Sequence, residues 1–441
     1  MMSKVELSDL FRVGPGTPMG KFMRQYWLPA ILSSEIETDG DPVRLMILGE
    51  KLLAFRDSAS RVGIIDHRCP HRCASLFLGR NEENGIRCVY HGWKFDVNGN
   101  CVDMPSVPPH MDFKDKVHAR AYRTAERNDL VWVYMGENQS NPPPLPEIEA
   151  NMIPGSKIWC LQRQCNWLQA LEGDIDTSHV GFLHVGALQP DDLPKDSPLR
   201  PTVLNRAPEY RVQNAEWGAT YGAYRQDDDG SLSWRAGQFM FPFWTMTPNI
   251  LFATRAIARA WVPMDDEHVM LFDITGGVDE GNPFFTTKLK NGEPMYEKIR
   301  RKPNGTGWFD RWLPVDGIHN DWGIDRDAQR DMVHFTGIDN PSMQDQSITE
   351  SMGPIQDHSY ETLAPTDQMI AFVRRRLVKA LEASTNGLTE APGSTTPAIY
   401  FGARSGAFWA EPSVTFGDAY AGELAKAQRW PAEEPAQEDA H

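Results

Sequence analysis

Cys69-Pro70-His71, followed by Cys88-Val89-Tyr90-His91-Gly92-Trp93, is the stretch around which this chain of 441 residues is read, because each half supplies one thiolate and one imidazole. The halves are separated by 16 residues (72 to 87). A two-iron, two-sulfur cluster with two Cys on one iron and two His on the other needs that supply, and neutral imidazoles in place of thiolates raise its reduction potential. A structural zinc site competes, since Cys69, Cys73, Cys88 and His91 also make a tetrahedral Cys3His set, and His67 adds another nearby donor. The zinc reading leaves His71 unexplained, whereas the cluster reading fills both x-His spacings. Cys73, Cys101, Cys160 and Cys165 are then ordinary buried residues or free thiols.

The surroundings of this stretch read as all-β. Val43 to Leu48 and Leu52 to Phe55 flank a Gly49-Glu50 turn, and Val62-Gly63-Ile64-Ile65 leads into the first loop. Past the second loop, Trp93 to Val97 meets Asn98-Gly99, the strongest short hairpin signal, and Asn100-Cys101-Val102 returns. Val131 to Tyr134 is a further strand. Asn141-Pro142-Pro143-Pro144-Leu145-Pro146 closes the unit as a stiff linker.

A second constellation lies in residues 166–184, where Asp176-Thr177-Ser178-His179 is followed by His184. Asp176 and His179 are three apart, which makes them neighbours on one helix face. His184 is five beyond His179, so two imidazoles converge on one metal only where the helix kinks or ends, and Gly181 permits that. A carboxylate against the second ring nitrogen of a metal-bound His fixes its tautomer, a role assigned to Asp176. Two His and one carboxylate leave open positions on iron for dioxygen and substrate. An electron carrier and an oxygen-activating iron in one chain imply an oxygenase.

Together these motifs resemble the terminal oxygenase component of the Rieske non-heme iron oxygenases, over nearly the whole chain and closest to the phthalate dioxygenase branch. Further residues carry the resemblance: Gly14 to Gly20, Gly79 to Gly85, Cys88 to Asp96, and Glu350 to Ile355. It implies an α+β fold, an N-terminal all-β Rieske domain followed by a helix-flanked antiparallel-sheet catalytic domain. The expected divisions are 1–40, an N-terminal segment packing on the catalytic domain; 41–146, the [2Fe-2S] domain; 147–425, the iron domain; and 426–441, an acidic disordered tail.

The resemblance also implies roles. Cys69 and Cys88 hold one iron of the [2Fe-2S] cluster, and His71 and His91 the other. His179, His184 and Asp345, in Met343-Gln344-Asp345, hold the mononuclear Fe(II), with Asp339, Asp357 and Asp174 as rival carboxylates. The oxygenase is a homo-oligomer, a trimer or hexamer, in which electrons cross from His91 through Asp176 of the next subunit to His179. A reductase carrying flavin and an iron-sulfur cluster draws on NAD(P)H, and O2 is co-substrate. The substrate implied is an aromatic carboxylic acid, with Arg206 at a carboxylate-binding position and Arg225 and Arg235 in reserve. No second arginine matches the branch pattern, which argues against phthalate itself. Asn166 and Gln169 are expected to face the iron pocket.

Two outcomes share these residues: dihydroxylation of the ring, and O-demethylation of a methoxylated acid with loss of formaldehyde. Substrate pose decides between them. Remoter readings are an electron-transfer protein holding the cluster alone, or a zinc-stabilised binding protein.

Composition is consistent with this. Net charge is −16, from 44 basic and 60 acidic residues, which argues against nucleic acid or an anionic membrane as partner. No 18-residue apolar stretch or signal-peptide pattern is present, and six cysteines in a chain this long form no disulfide framework, so a soluble, cytoplasmic protein is expected. In the catalytic half, residues 250–254, 258–262 and 269–274 read as strands. Thr366 to Ser384 reads as a helix with Arg374-Arg375-Arg376 turned outward. Phe239 to Met246 reads as core more readily than as an aromatic pocket.

Overall fold

The computed structural model describes residues 4–195, 197–227, 229–248, 252–253, 255–277, 294–427 and 429–430. It is an α+β protein in which an N-terminal all-β part precedes an antiparallel sheet flanked by helices. Six strands form the first sheet, in the order Trp27–Leu32, Leu130–Tyr134, Ala121–Arg127, Val62–Asp66, Glu50–Arg56 and Val43–Ile47. The strand Trp27–Leu32 is hydrogen-bonded to Leu130–Tyr134, so the chain joins this sheet well before residue 41. Residues ahead of it pack elsewhere: Asp266 accepts from the Val13 N–H, and Trp167 donates to the Leu10 carbonyl.

The two loops that carry the Cys and His pairs stand on a four-stranded sheet of short strands, Arg80–Asn81, Ile86–Arg87, Lys94–Phe95 and Cys101–Asp103. The last two flank the Asn98-Gly99 turn, with Phe95 opposite Cys101. Leu53, Phe55, Ile65, Leu76, Ile86, Trp93 and Phe95 form a separate apolar core beneath the loops. The Trp27 edge of the first sheet instead shares its core with the large C-terminal sheet, where the Trp132 and Trp244 rings lie 5.7 Å apart.

The large C-terminal sheet runs Lys157–Arg163, Val269–Gly277, Arg255–Pro263, Trp244–Met246, Leu232–Met240, Gly218–Gln226 and Glu209–Ala215, with Gly406–Ala410 also paired to Leu232–Met240. Of the expected strands, 258–262 and 269–274 lie within two of these. Phe252 and Ala253 are in a turn, and the rest of that expected strand, like the acidic tail from residue 431 on, lies outside the described residues. Phe239, Met240, Phe241, Phe243, Trp244 and Met246 are buried core.

Two helices bring the candidate ligands to the sheet. Trp167–Ile175 starts at Asn166, whose side chain accepts from the Leu168 N–H, and Pro341–Ser351 starts at Asn340, whose side chain accepts from the Met343 N–H. A third helix, Gln368–Thr385, buries Met369, Val373, Leu377 and Leu381. Its Arg374 does not face solvent as the sequence pattern suggests. It is buried, with Nε and one Nη each 2.6 Å from the buried Glu172 carboxylate and with Glu361 as a further partner. A charge at that depth persists because it is paired and hydrogen-bonded.

Candidate metal centres and the substrate cavity

The first ligand loops are near-repeats of each other. The Cys69 N–H donates to the Ala74 carbonyl and the Cys88 N–H to the Trp93 carbonyl, five residues on in both cases. The Cys73 N–H returns to the Cys69 carbonyl, and the Gly92 N–H returns to the Cys88 carbonyl. Cys73 (φ 59°) and Gly92 (φ 77°) therefore fill the same left-handed turn position. That accounts for Cys73, which is exposed and serves the turn.

Cys69 and Cys88 are buried side by side, and burial, with Cys88 adding to it, pushes the Cys69 thiol up to about 11. The His71 and His91 rings lie 4.4 Å apart, His71 stacks on Trp93 at 4.4 Å, and the buried Nδ1 of His91 has no hydrogen-bond partner. Two close cysteines and two close histidines, one with an orphaned nitrogen, fit a cluster of two irons. They do not fit one zinc. Among the described residues, Cys69, Cys73, Cys88 and His91 form no set of donors within 4.8 Å of one another. His67 packs against Trp308, at 5.1 Å between rings.

The second set does converge. His179 Nε2 lies 3.2 Å from His184 Nε2 and 3.5 Å from Asp345 Oδ1, and His184 Nε2 is 3.2 Å from the same oxygen. The local route to this geometry differs from the expected helix that kinks or ends between His179 and His184. The helix ends at Ile175, Asp176 is extended (φ −93°, ψ 96°), and His179 opens a single 3-10 turn to Gly181. Asp176 reaches His179 from this bend, with Oδ2 at 3.8 Å from Nδ1, while its Oδ1 accepts from the Ser178 N–H and hydroxyl.

The tautomer of His184 follows from its neighbour. Gln344 Nε2 donates to the Ile338 carbonyl at 2.7 Å, so its Oε1 faces His184 Nδ1, also at 2.7 Å. Nδ1 is then the donor, and the unprotonated Nε2 faces His179 and Asp345. Tyr296 donates to the His184 backbone carbonyl. Burial favours a neutral Asp345, yet the imidazoles of His184 and His179, when they carry a second proton in place of a metal, and Arg163 outweigh it and hold the carboxyl well below its usual range. Burial likewise opposes a charge on His179, but Asp176 and Asp345 raise its pKa. Two imidazoles and an ionised carboxylate are the donor set of a non-heme ferrous site.

The rival carboxylates are engaged elsewhere. Asp174 accepts from Thr245, Trp261 and Arg259, and Asp357 from Ser359. Asp339 is not part of the converging set. The structure does not bring Asn166 or Gln169 to the metal donors either. Asn166 caps its helix and donates to the carbonyls of Phe11 and Asp266, and Gln169 donates to those of Thr349 and Gly353.

A cavity of about 650 Å³ opens onto the donor set. His184 and Asp345 line one part of it, and Trp159, Arg255, Ile257, Arg259 and Arg301 line others. Arg206 is not among its lining residues, because its guanidinium donates to the carbonyls of Gly186 and Leu188 and packs on Phe182. Arg225 donates to the Asn205 carbonyl and Arg235 to Thr177. Sequence reasoning missed Arg301 and Gln344. Arg301 sits in the basic run Arg300-Arg301-Lys302, which reads as surface, and nothing in the sequence marks Gln344 apart from its neighbour Asp345.

Comparison with known proteins bears on the whole arrangement. Residues 26–122 match the Rieske [2Fe-2S] domain family, and residues 133–403 match the family described as LigXa C-terminal domain like. Over 418 residues, 93% of this chain and 96% of the relative, it is 48% identical to the 3-chlorobenzoate-3,4-dioxygenase oxygenase subunit of Comamonas testosteroni. The chain is a Rieske oxygenase. This oxygenase is also 35% identical to the phthalate 4,5-dioxygenase oxygenase subunit of Pseudomonas putida, over 88% of each chain. It is 30% identical to the 5,5'-dehydrodivanillate O-demethylase oxygenase subunit of Sphingobium sp., over 88% of this chain and 82% of that one. As an oxygenase subunit it carries a [2Fe-2S] cluster, uses mononuclear non-heme iron and O2, and takes electrons from a separate reductase. No helix among the described residues is long and apolar enough to cross a membrane.

Proposed function

We propose that this oxygenase acts on an aromatic carboxylic acid of benzoate type and dihydroxylates its ring. The observation that carries the reading is the cavity of about 650 Å³, which combines the His184 and Asp345 donors with tryptophan, isoleucine and several cations. A site of that size and lining suits a small aromatic anion. The 48% identity to an oxygenase subunit named for 3-chlorobenzoate supports the same class.

His179, His184 and Asp345 hold the mononuclear iron, while Cys69 and Cys88 hold one cluster iron and His71 and His91 the other. When bound, the iron supplies the dioxygen-activating site and the cluster supplies electrons singly. The chain's own residues do the rest. Gln344 and Asp176 keep His184 and His179 in the tautomers that present Nε2 inward. Arg259, paired with Asp174 and Asp273, stiffens the cavity floor beside the donors.

Asp176 is the electron bridge between subunits of a trimer or hexamer. Its side chain is 22% exposed, so it is within reach of a neighbour. Val89 and Tyr90 beside the cluster ligands, and Phe182 beside the iron ligands, are each more than half exposed, as surfaces that meet in an assembly would be. The subunits work in the cytoplasm, a reducing compartment that suits cysteine-ligated iron.

O-demethylation of a methoxylated acid is the second reading, favoured by the similarity to the dehydrodivanillate enzyme's oxygenase subunit. Substrate-dependent oxygen uptake with a surrogate reductase and NADH separates the two. Halobenzoates giving a dihydrodiol without formaldehyde support dihydroxylation. Formaldehyde in step with oxygen supports demethylation, and no response to any aromatic acid refutes both.

A further inference from the structure

We propose that Arg301 is the anion anchor of this cavity: its guanidinium, flanked by Trp159 and Trp312, binds the carboxylate of an aromatic acid whose ring extends toward His184 and Asp345. This rests on the aromatic-acid reading above and names the residue that recognises the acid.

The Arg301 guanidinium carbon lies 5.3 Å from the Trp159 ring centre and 5.5 Å from that of Trp312. Its Nε is buried without a hydrogen-bond partner, and no carboxylate among the described residues pairs with it. Burial pulls its pKa down, opposed only by the Cys160 thiol. The contrast with Arg259 is direct, since that guanidinium is committed at 2.7 Å to both Asp174 and Asp273. Lys157 and Lys298, which also line the cavity, are exposed to solvent. Aromatic faces stabilise a cation but do not replace the hydrogen bonds it loses on leaving water. An entering carboxylate replaces them with charge-assisted bonds, for which guanidinium geometry is suited.

The position of Arg301 also suits the reaction. Trp159 is paired with Asp273, and Asp273 with Arg259, in one row across three strands. Trp159 and Arg259 are therefore two strand spacings apart, about 10 Å. Arg259 also borders the space shared by His179, His184 and Asp345. A carboxylate held over Trp159 thus sits across the row from the metal donors, and the ring occupies the span between. Arg206 offers no such site, because its donors are taken by the carbonyls of Gly186 and Leu188.

The test is anaerobic calorimetric binding of 3-chlorobenzoate and its neutral analogue 3-chlorobenzamide to the holo-oxygenase, in wild type and in the variants R301M, R301K and R206M. The expected result is a loss of about tenfold or more in 3-chlorobenzoate affinity for R301M, with the amide changed by less than about twofold. R301K recovers part of the loss, and R206M leaves the preference for the acid intact. Retained amide binding shows that R301M is folded. Wild-type acid affinity in R301M, equal loss of acid and amide in both Arg301 variants, or an acid-selective loss in R206M instead overturns the assignment. If wild type itself shows no preference for the acid, the aromatic-acid reading fails and the anchor with it. If wild type prefers the acid and R301M does too, the anchor alone fails.

Discussion

Gln344 Oε1 stands 2.7 Å from His184 Nδ1, and Gln344 is the chain neighbour of Asp345, so one helical turn supplies both a carboxylate of the proposed iron site and the group that orients one of its imidazoles. Position 344 couples the helix Pro341–Ser351 to the bend that follows Asp176. The arrangement makes the proposed iron site a property of two distant segments locked together.

Replacing Gln344 by Leu removes the acceptor at Nδ1 and frees His184 to adopt the other tautomer. Outer partners of metal-bound histidines are worth about 10–100-fold in metal affinity. The variant is expected to lose mononuclear iron at correspondingly lower chelator concentrations, while the visible spectrum of the cluster stays unchanged. Iron and sulfide content after graded chelation measures this.

Asp176→Asn keeps the shape of the side chain and its bonds to Ser178, and removes the charge facing His179. Both metal centres are expected to load normally, with turnover slowed on the order of 100-fold or more through slower electron transfer. Rapid-mixing oxidation of the reduced cluster, with substrate present, reads the step. Transfer at the wild-type rate would remove Asp176 from the path.

Cys73→Gly separates the cluster from a zinc site at the first loops. Cys73 occupies a left-handed turn position (φ 59°), which costs a non-glycine residue about 1–2 kcal/mol. Glycine there is expected to leave the cluster spectrum intact and to raise the melting temperature slightly. Loss of metal in this variant would instead mark Cys73 as a ligand.

Glu149 and Arg404 form a buried ion pair at 2.9 Å, with side chains 0% and 2% exposed. Arg404→Met leaves the Glu149 carboxylate with Arg429 and the Trp430 N–H alone. Because Arg429 still faces the carboxylate, a loss below the about 3–5 kcal/mol of a fully unpaired buried charge is expected, seen as a lower denaturation midpoint. Changing Glu149 to Gln and Arg404 to Met together should cost less than the sum of the two single changes.

How much of this was legible in the sequence depended on how local each feature is. The Rieske domain could be read because the Cys and His of each proposed ligand pair lie two or three residues apart within one loop, and the Asn98-Gly99 hairpin because turn chemistry is local. His179 and His184 were recognisable as a pair, but the way they meet was not: the helix stops before Asp176 rather than bending at Gly181. Asp345 came from family resemblance alone, since a single aspartate in a polar helix carries no mark of the histidines more than 150 residues away. Charged residues were the least legible. Arg374 reads as surface until Glu172 is found against it, and Arg206 reads as a substrate ligand until its donors are seen on backbone carbonyls. The partners of Asn166 and Gln169 were hidden for the same reason, their polar groups being bonded to the main chain.

Whether His179 holds the mononuclear iron is tested by His179→Ala, purified anaerobically and examined for iron, for the low-temperature electron spin resonance of the reduced cluster, and for substrate-dependent oxygen uptake. The expected result is an unchanged cluster signal, loss of the mononuclear iron and no turnover. Turnover that survives with the cluster intact would contradict it.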